Sequence, residues 1–511
     1  MNAVDLVFTV ALPQELPVEW LREQGVAVHR LKALESGALR PGDGANSGLL
    51  VVITGVGPGC ARDAALWIRD RLAPRYVVNL GTAGALGSER RGGAWVTPKR
   101  VTDEAGRALP VDTRLPFPWP DGHQRHIGGT LLSVVEARPG HPLPQWQAYE
   151  FVDMETHAQA EVFAEAGIHF HVVKWISDAP GDGAEQAFRK ALPKLREACR
   201  ALFSFLASEP QADISVVIPV HNRAGRIAAC LDSVLRQTRP AAEVIVVDDG
   251  SDDETPRILR RFGDRVRMIR LPENRGVSAA RNAGVSAAAS PWIALLDSDD
   301  HWTEDKLEAQ WRYLKRNPHY EALQSEEIWI RNGVRVNPRL HHRKPAGWIW
   351  SQSLERCLVS PSAILMRRSL FEVLGGFDES LPACEDYDLW IRLARHRVVG
   401  LVPHAGVIKH GGHQDQLSRR FPAMDRFRVA SLHKALQVEG EPEFRKPLVK
   451  TMNTKLTILI QGARKRGLVD EVRRYEALRR ELVAASHAKS ANPANEDGKN
   501  HATQEAGAGV D

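Results

Sequence analysis

Short apolar runs punctuate the first 208 residues: LVFTVAL at 6–12, LLVVITGV at 49–56, YVVNLGTAGAL at 76–86 and FHVVKWISD at 170–178. Ala- and Arg-rich stretches of helical character separate them. Strand-length runs alternating with helical stretches predict βα units and a mostly parallel sheet covered by helices. The helix LPKLREACRALFSFL is followed by the polar stretch ASEPQAD at 207–213, which reads as a linker. A second series then opens with ISVVIPV at 214–220, followed by VIVVDDG, RVRMIRL and WIALLDSDD. From about 421 the pattern turns helical, and the last stretch lacks aromatic residues and apolar periodicity, as a disordered tail does. The predicted division is 1–208, 213–420, a helical extension over 421–484 and a tail over 485–511.

Composition narrows the class without choosing a function. At 511 residues the chain is long enough for several domains, and 43% hydrophobic with 26% charged residues is ordinary for a globular protein. No apolar run has the length a membrane-spanning helix needs. The start, MNAVDLVFTVALPQE, has no basic segment and reads as a first strand, so the expected compartment is the cytoplasm. With 68 Lys+Arg against 63 Asp+Glu the net charge is +5, which gives no argument for nucleic acid. Cys60, Cys199, Cys230, Cys357 and Cys384 are far apart, so neither a zinc site nor a disulfide framework is expected.

Chemistry gathers at strand ends in the second half. Ile214–Val220 reads as a buried strand leading into His221 and Asn222, and the next helix spaces Ile227, Cys230, Leu231, Val234 and Leu235 for one buried face. The second strand ends in Asp248-Asp249-Gly250-Ser251 and the fourth in Asp297-Ser298-Asp299-Asp300. Ligands of open α/β sheets collect at that edge. Two acidic loops there repel unless something positive lies between them, and a divalent metal on a diphosphate supplies that charge through hard oxygen ligands.

The series VVIPVHNR, VIVVDDGSDDET, ENRGVSAARNAGV and LLDSDDHW resembles a family 2 glycosyltransferase of GT-A fold, over about 213–415. The resemblance implies a nucleotide-sugar donor, Mg²⁺ or Mn²⁺, and a glycan, lipid-linked or other small acceptor. Pro219 and Asp249 would lie against the nucleotide base, with Asp248 nearby, and Arg281 and Asn282 near the ribose or diphosphate. Asp297 and Asp299 would form the D-x-D pair, with Asp300 a further metal candidate. The segment GGFDESLPACEDYDLWIRLARHR resembles the acceptor side, where inverting transfer needs a carboxylate to take the acceptor's proton. Asp386 is the expected base and Glu385 the second choice; an acidic helix N-terminus serves the same pair structurally in any protein. His410 and His413, in KHGGHQDQLSRR, fall where such enzymes supply a late metal or diphosphate ligand, or are surface histidines.

In the first half ALPQE, TGVGPG, NLGTAGAL, VDMET and WISDAPGD, in that order, resemble the nucleoside phosphorylase superfamily, in its methylthioadenosine/S-adenosylhomocysteine nucleosidase branch. Cleaving a purine N-glycosidic bond needs an acid for the ring and a carboxylate for water. The resemblance implies Asp178 as that acid, Glu15 as the base, Met154 and Glu155 on the ribose and Thr82 on the anomeric side. Between Leu86 and Val152 the chain is shorter than the family pattern, with Pro-rich segments where purine contacts belong. The Glu15 match favours hydrolysis, while Gly55–Gly59 with Arg62 offers donors to phosphate.

The expected architecture is therefore α/β: a nucleoside phosphorylase-like domain, a GT-A nucleotide-diphospho-sugar transferase domain, a helical segment and a tail. The leading function is metal-dependent, inverting sugar transfer. The alternatives are purine nucleoside cleavage as the main activity, or a first half that only binds or assembles. The Arg-rich helices near the end offer a packed helix with a solvated basic face, or peripheral contact with the inner face of a membrane.

Overall fold

The computed structural model describes residues 5–31, 49–86, 94–117, 119, 125–127, 130–134, 149–176, 184–207, 213–336, 343–411 and 421–488. Two mixed sheets organise it, one in each half. In the first, the strands Ala27–Arg30, Leu50–Ile53, Leu6–Val10, Tyr76–Ala85 and His169–Ile176 lie side by side and parallel. Leu6–Val10 is buried along its whole length, as a strand covered on both faces must be. Alternate side chains divide accordingly. Val7 and Val77 pack with Ala64 and Ile68 of the Pro58–Arg71 helix and Phe163 of the Thr156–Glu165 helix. Phe8 and Val78 face Leu195, Leu202 and Phe203 of the Ala184–Ala207 helix. The far end of Tyr76–Ala85 pairs antiparallel with Phe151–Asp153, which runs parallel to Thr130–Ser133.

The second sheet begins with four parallel strands in the order Arg267–Leu271, Glu243–Asp249, Ile214–Val220, Trp292–Leu295. Antiparallel Ile364–Arg367 follows, then Ala322–Arg331 with Gly400–Gly411 parallel to it. Pro219 is tolerated inside this sheet for a local reason. Val217 uses its carbonyl on the side of Trp292–Leu295, accepting from Leu296, and that strand's pairing goes no further than Val217. Two residues on, Pro219 turns the same way and faces past the strand's end, where an N–H has no ladder partner to lose.

The helices Asp425–Val438 and Pro442–Lys465 pack on the second half, and Val469–Ala488 packs on the latter of these. Phe444, Leu448, Met452, Leu456, Leu459 and Ile460 are buried in one core with Leu389, Trp390 and Leu393 of the Glu385–His396 helix. Of the two arrangements expected for this region, the packed helix is the one seen for Pro442–Lys465. Among the described residues no helix is long and apolar enough to cross a membrane.

The halves meet through polar groups. Tyr320 Oη donates to Asp5 Oδ2 at 2.6 Å, and Arg75 Nη1 donates to Tyr320 Oη at 3.3 Å. Gly347 has φ +89°, and a Cβ there would stand 2.9 Å from the Tyr76 hydroxyl, so the close approach of the halves requires a glycine.

Candidate active site

The C-terminal ends of Ile214–Val220, Glu243–Asp249 and Trp292–Leu295 bring three acidic or polar loops to one edge of the second sheet. Asp249 is committed locally: its two carboxylate oxygens accept from the amides of Arg275 and Gly276, each at 2.8 Å. Asp248 accepts from Ser251 N at 3.0 Å and lies 3.6 Å from Arg270. Both carboxylates thus shape the loops around the edge. Gly250 between them has φ +65°, and a Cβ would strike the Glu273 carbonyl carbon at 2.6 Å.

Arg281 is buried in the Val277–Ala287 helix and ties two acidic loops together. Its Nη2 donates to Asp297 Oδ1 at 2.6 Å and its Nη1 to Glu385 Oε1 at 2.7 Å. Burial alone would raise the Asp297 carboxyl; Arg281 and Lys409 bring it below its ordinary value instead. Burial and the neighbouring Asp386 raise Glu385 in spite of Arg281. Asn282 is a backbone clamp, donating to Phe377 O at 2.8 Å and accepting from Phe377 N at 2.9 Å. Sequence motifs suggest Arg281 and Asn282 near the donor's ribose or diphosphate; in the structure both side chains contact protein groups.

Asp300 is buried, accepting from Ser362 Oγ at 2.7 Å and from His410 N at 3.2 Å. Burial, then the charges of Asp297 and Asp299, push its carboxyl up to about 7 against the pull of Lys409. Asp299 lines a cavity of about 240 Å³ together with Arg226, His301, Ile330 and His410. The rings of His301 and His410 meet edge to face at 4.8 Å. Among the described residues, no three His, Cys, Asp or Glu side chains converge as a metal-ligand set. Of the expected metal candidates, Asp297 contacts Arg281 and Asp300 contacts Ser362. His413 lies outside the described residues. Asp299, which lines this cavity, is the carboxylate whose hard oxygens suit a divalent cation such as Mg²⁺, an ion that commonly takes its other oxygens from substrate phosphates and water.

The Glu385–His396 helix starts from Cys384, a non-glycine residue at φ 62°. Backbone strain of this kind persists where surrounding structure enforces it. Glu385 is buried on Arg281, while Asp386 is only partly buried. Asp386 Oδ1 accepts from Tyr387 N at 2.7 Å, and the Cys357 sulfur is 3.2 Å from Oδ2.

Two groups escaped sequence reasoning. Lys409 Nζ donates to Ser360 Oγ at 3.0 Å. Burial works against its ammonium, but Asp300, Glu327, Asp297 and Asp386 outweigh it and hold the group above the ordinary lysine range. Its place directly before His410 was the available signal. Cys357 had none, since a lone cysteine in a loop carries no pattern.

The first half gathers a second set. Glu15 is buried at a short 3-10 turn and accepts from Leu12 N at 3.1 Å, Thr82 N at 3.0 Å and Thr82 Oγ1 at 2.8 Å. Burial raises its carboxyl, opposed by Lys174 and these bonds. Lys174 and Asp153 form a buried ion pair at 2.9 Å. Glu155 accepts from Gly57 N at 3.3 Å; burial, then Asp153, push it up to about 7. Met154 packs with Leu132 and Val134. Asp178 lies outside the described residues.

Residues 215–374 match the family model described as Glycosyl transferase family 2, and residues 349–428 match Glycosyltransferase like family 2. The putative teichuronic acid biosynthesis glycosyltransferase TuaG of Bacillus subtilis is 29% identical over 158 residues, 30% of this chain and 62% of that protein. The succinoglycan biosynthesis protein ExoU of Rhizobium meliloti is 31% identical over 214 residues, 39% of this chain and 62% of its own length. An uncharacterized glycosyltransferase of Rickettsia felis is 30% identical over 189 residues, 37% of this chain. The chain spans 31% to 65% of the length of this protein and four Rickettsia relatives like it. Among solved structures, S. aureus TarS 1-349 in complex with UDP is similar over 48% of this chain and 72% of that one, with TM-score 0.39 and 22% identity. A 5'-methylthioadenosine/S-adenosylhomocysteine nucleosidase from Helicobacter pylori covers 39% of this chain and 96% of its own, with TM-score 0.30 and 13% identity. The second half thus resembles family 2 glycosyltransferases.

Proposed function

We propose that the second half of this chain, matched as it is by family 2 glycosyltransferase sequence, moves a sugar from a nucleoside-diphosphate donor to a hydroxyl acceptor with inversion. The observation that carries the reading is the division of labour between Glu385 and Asp386. Glu385 is buried on Arg281, which also holds Asp297; Asp386 is partly exposed at the same helix N-terminus. Asp386 takes the proton of the acceptor hydroxyl as that oxygen attacks the anomeric carbon from the face opposite the leaving diphosphate. Arg281 keeps the acidic loop and the base-bearing helix in register, so donor and acceptor groups are oriented together. Asp299 would hold a divalent cation, which when bound offsets the charge of the departing diphosphate. Arg226, His301 and His410 line the same cavity and place donors beside it.

The test is release of nucleoside diphosphate from a panel of nucleotide sugars, with glycan and lipid-linked acceptors, by wild type, Asp386→Asn and Asp299→Ala. Turnover lost in Asp386→Asn, with donor still bound, supports the base. Loss of metal-dependent donor binding in Asp299→Ala supports the cation site. Retained turnover in Asp386→Asn removes Asp386 from the reaction.

A second reading concerns the first half, and the buried Glu15–Thr82 pair favours it. A carboxylate raised by burial beside a hydroxyl is suited to activating water at an anomeric carbon. Incubation with methylthioadenosine, S-adenosylhomocysteine and adenosine, with and without phosphate, tests it by mass spectrometry. Free adenine absent from Glu15→Gln supports nucleoside cleavage, and the sugar product distinguishes hydrolysis from phosphorolysis. No base release leaves the first half a binding or assembly module.

A further inference from the structure

Cys357 lies between the Trp350–Glu355 helix and the Pro361–Ala363 turn, whose Ser362 holds Asp300. Its sulfur is 3.2 Å from Asp386 Oδ2 and 3.2 Å from Val359 O. One S–H serves one acceptor well, and the charged carboxylate is the stronger of the two. The other oxygen, Oδ1, accepts from Tyr387 N at 2.7 Å, so each carboxylate oxygen has its own fixed donor. Burial, then the Asp386 charge, hold the thiol well above its ordinary range, so it keeps its proton and stays a donor.

A thiol is a weak donor. Strong donors such as a guanidinium stabilise a carboxylate's charge and lower its basicity, which is the fate of Asp297 on Arg281. A proton-accepting carboxylate needs a fixed plane facing the hydroxyl it serves. We propose that Cys357 is a positioning residue that orients the Asp386 carboxylate for proton removal through its S–H. The inference rests on the transferase reading of Asp386. The fields of Lys409 and Glu385 also reach this corner, and neither donates a hydrogen bond to the Asp386 carboxylate among the described residues.

The test uses full-length wild type, Cys357→Ala, Cys357→Ser and Asp386→Asn. The infrared S–H stretch of Cys357, assigned as the band missing from Cys357→Ser, reads the pair without any substrate. It should shift in Asp386→Asn; an unmoved band means the thiol serves Val359 and overturns the proposal. With the nucleotide sugar that wild type turns over, Cys357→Ala should lower kcat about tenfold, the scale of one lost hydrogen bond, at unchanged donor KM. Cys357→Ser, which restores an O–H donor, should recover most of it. Equal losses in Ala and Ser, or none in either, mark the thiol as packing only and overturn the role. If wild type turns over no nucleotide sugar, the transferase reading itself fails and the positioning role falls with it, whatever the band shows.

Discussion

Arg281 and Glu385 form a buried ion pair at 2.7 Å although 104 positions separate them in sequence. The same guanidinium holds Asp297, so removing it leaves the buried Glu385 and the partly buried Asp297 without their cation. Breaking a buried pair by deleting one partner costs about 3–5 kcal/mol. Arg281→Met should therefore lower the unfolding free energy, read from urea titration, by an amount of that order. A change within experimental error would mean the two acids are solvated without it.

Asp386→Asn keeps shape and removes basicity. General-base catalysis contributes roughly 10²–10⁴-fold, so kcat for transfer should fall by that factor with donor affinity unchanged. Glu385→Gln should instead show its effect in thermal stability, because Glu385 serves Arg281.

Lys409 offsets several acids at once. Without its ammonium, Asp300, Asp297 and Glu327 repel one another in a buried site. Lys409→Met should destabilise the protein more at pH 8, where these groups are ionised, than at pH 5, where the raised Asp300 carboxyl carries a proton. Equal losses at both pH values would assign Lys409 a packing role alone.

Glu155 should leave a mark on the pH dependence of stability. Its carboxyl is raised from 4.5 to about 7 in the folded protein, so the folded state binds a proton that the unfolded chain has already lost. Stability from this group is greatest below pH 4.5, falls as pH rises through about 7, and is then flat. The total is on the order of 3 kcal/mol. Denaturant titrations of wild type and Glu155→Gln between these limits should differ in slope by this one proton.

At the junction of the halves, Tyr320→Phe removes the donor to Asp5 and leaves that carboxylate short of a partner. The expected loss is about 1–3 kcal/mol, read as a lower denaturation midpoint. Unchanged stability would show that water replaces the hydroxyl.

The strands and the acidic strand ends were legible because each is a local pattern: an apolar run, then Asp248-Asp249-Gly250 or Asp297-Ser298-Asp299-Asp300. What those side chains hold was not, since partners are set by tertiary approach. Asp249 faces the amides of Arg275 and Gly276, Arg281 reaches Glu385 and Asp297, and Asn282 grips Phe377. Each pairing joins loops that only the folded sheet brings together. The arginine-rich final helices carried a pattern that fits either a membrane surface or a core, and only the folded chain shows Leu448, Leu456 and Ile460 packed inside. Asp178 and His413 fall outside the described residues.

The Asp5–Tyr320 contact also has a temporal side. Asp5, Arg75 and Tyr76 leave the ribosome long before Tyr320, His319 and Gly347, which complete their surroundings. At about 5–20 residues per second the first sheet waits on the order of 10–50 s for that cover. During synthesis the Tyr76 end of that sheet lacks this cover, so the first half is more exposed to solvent while the second sheet is still being made.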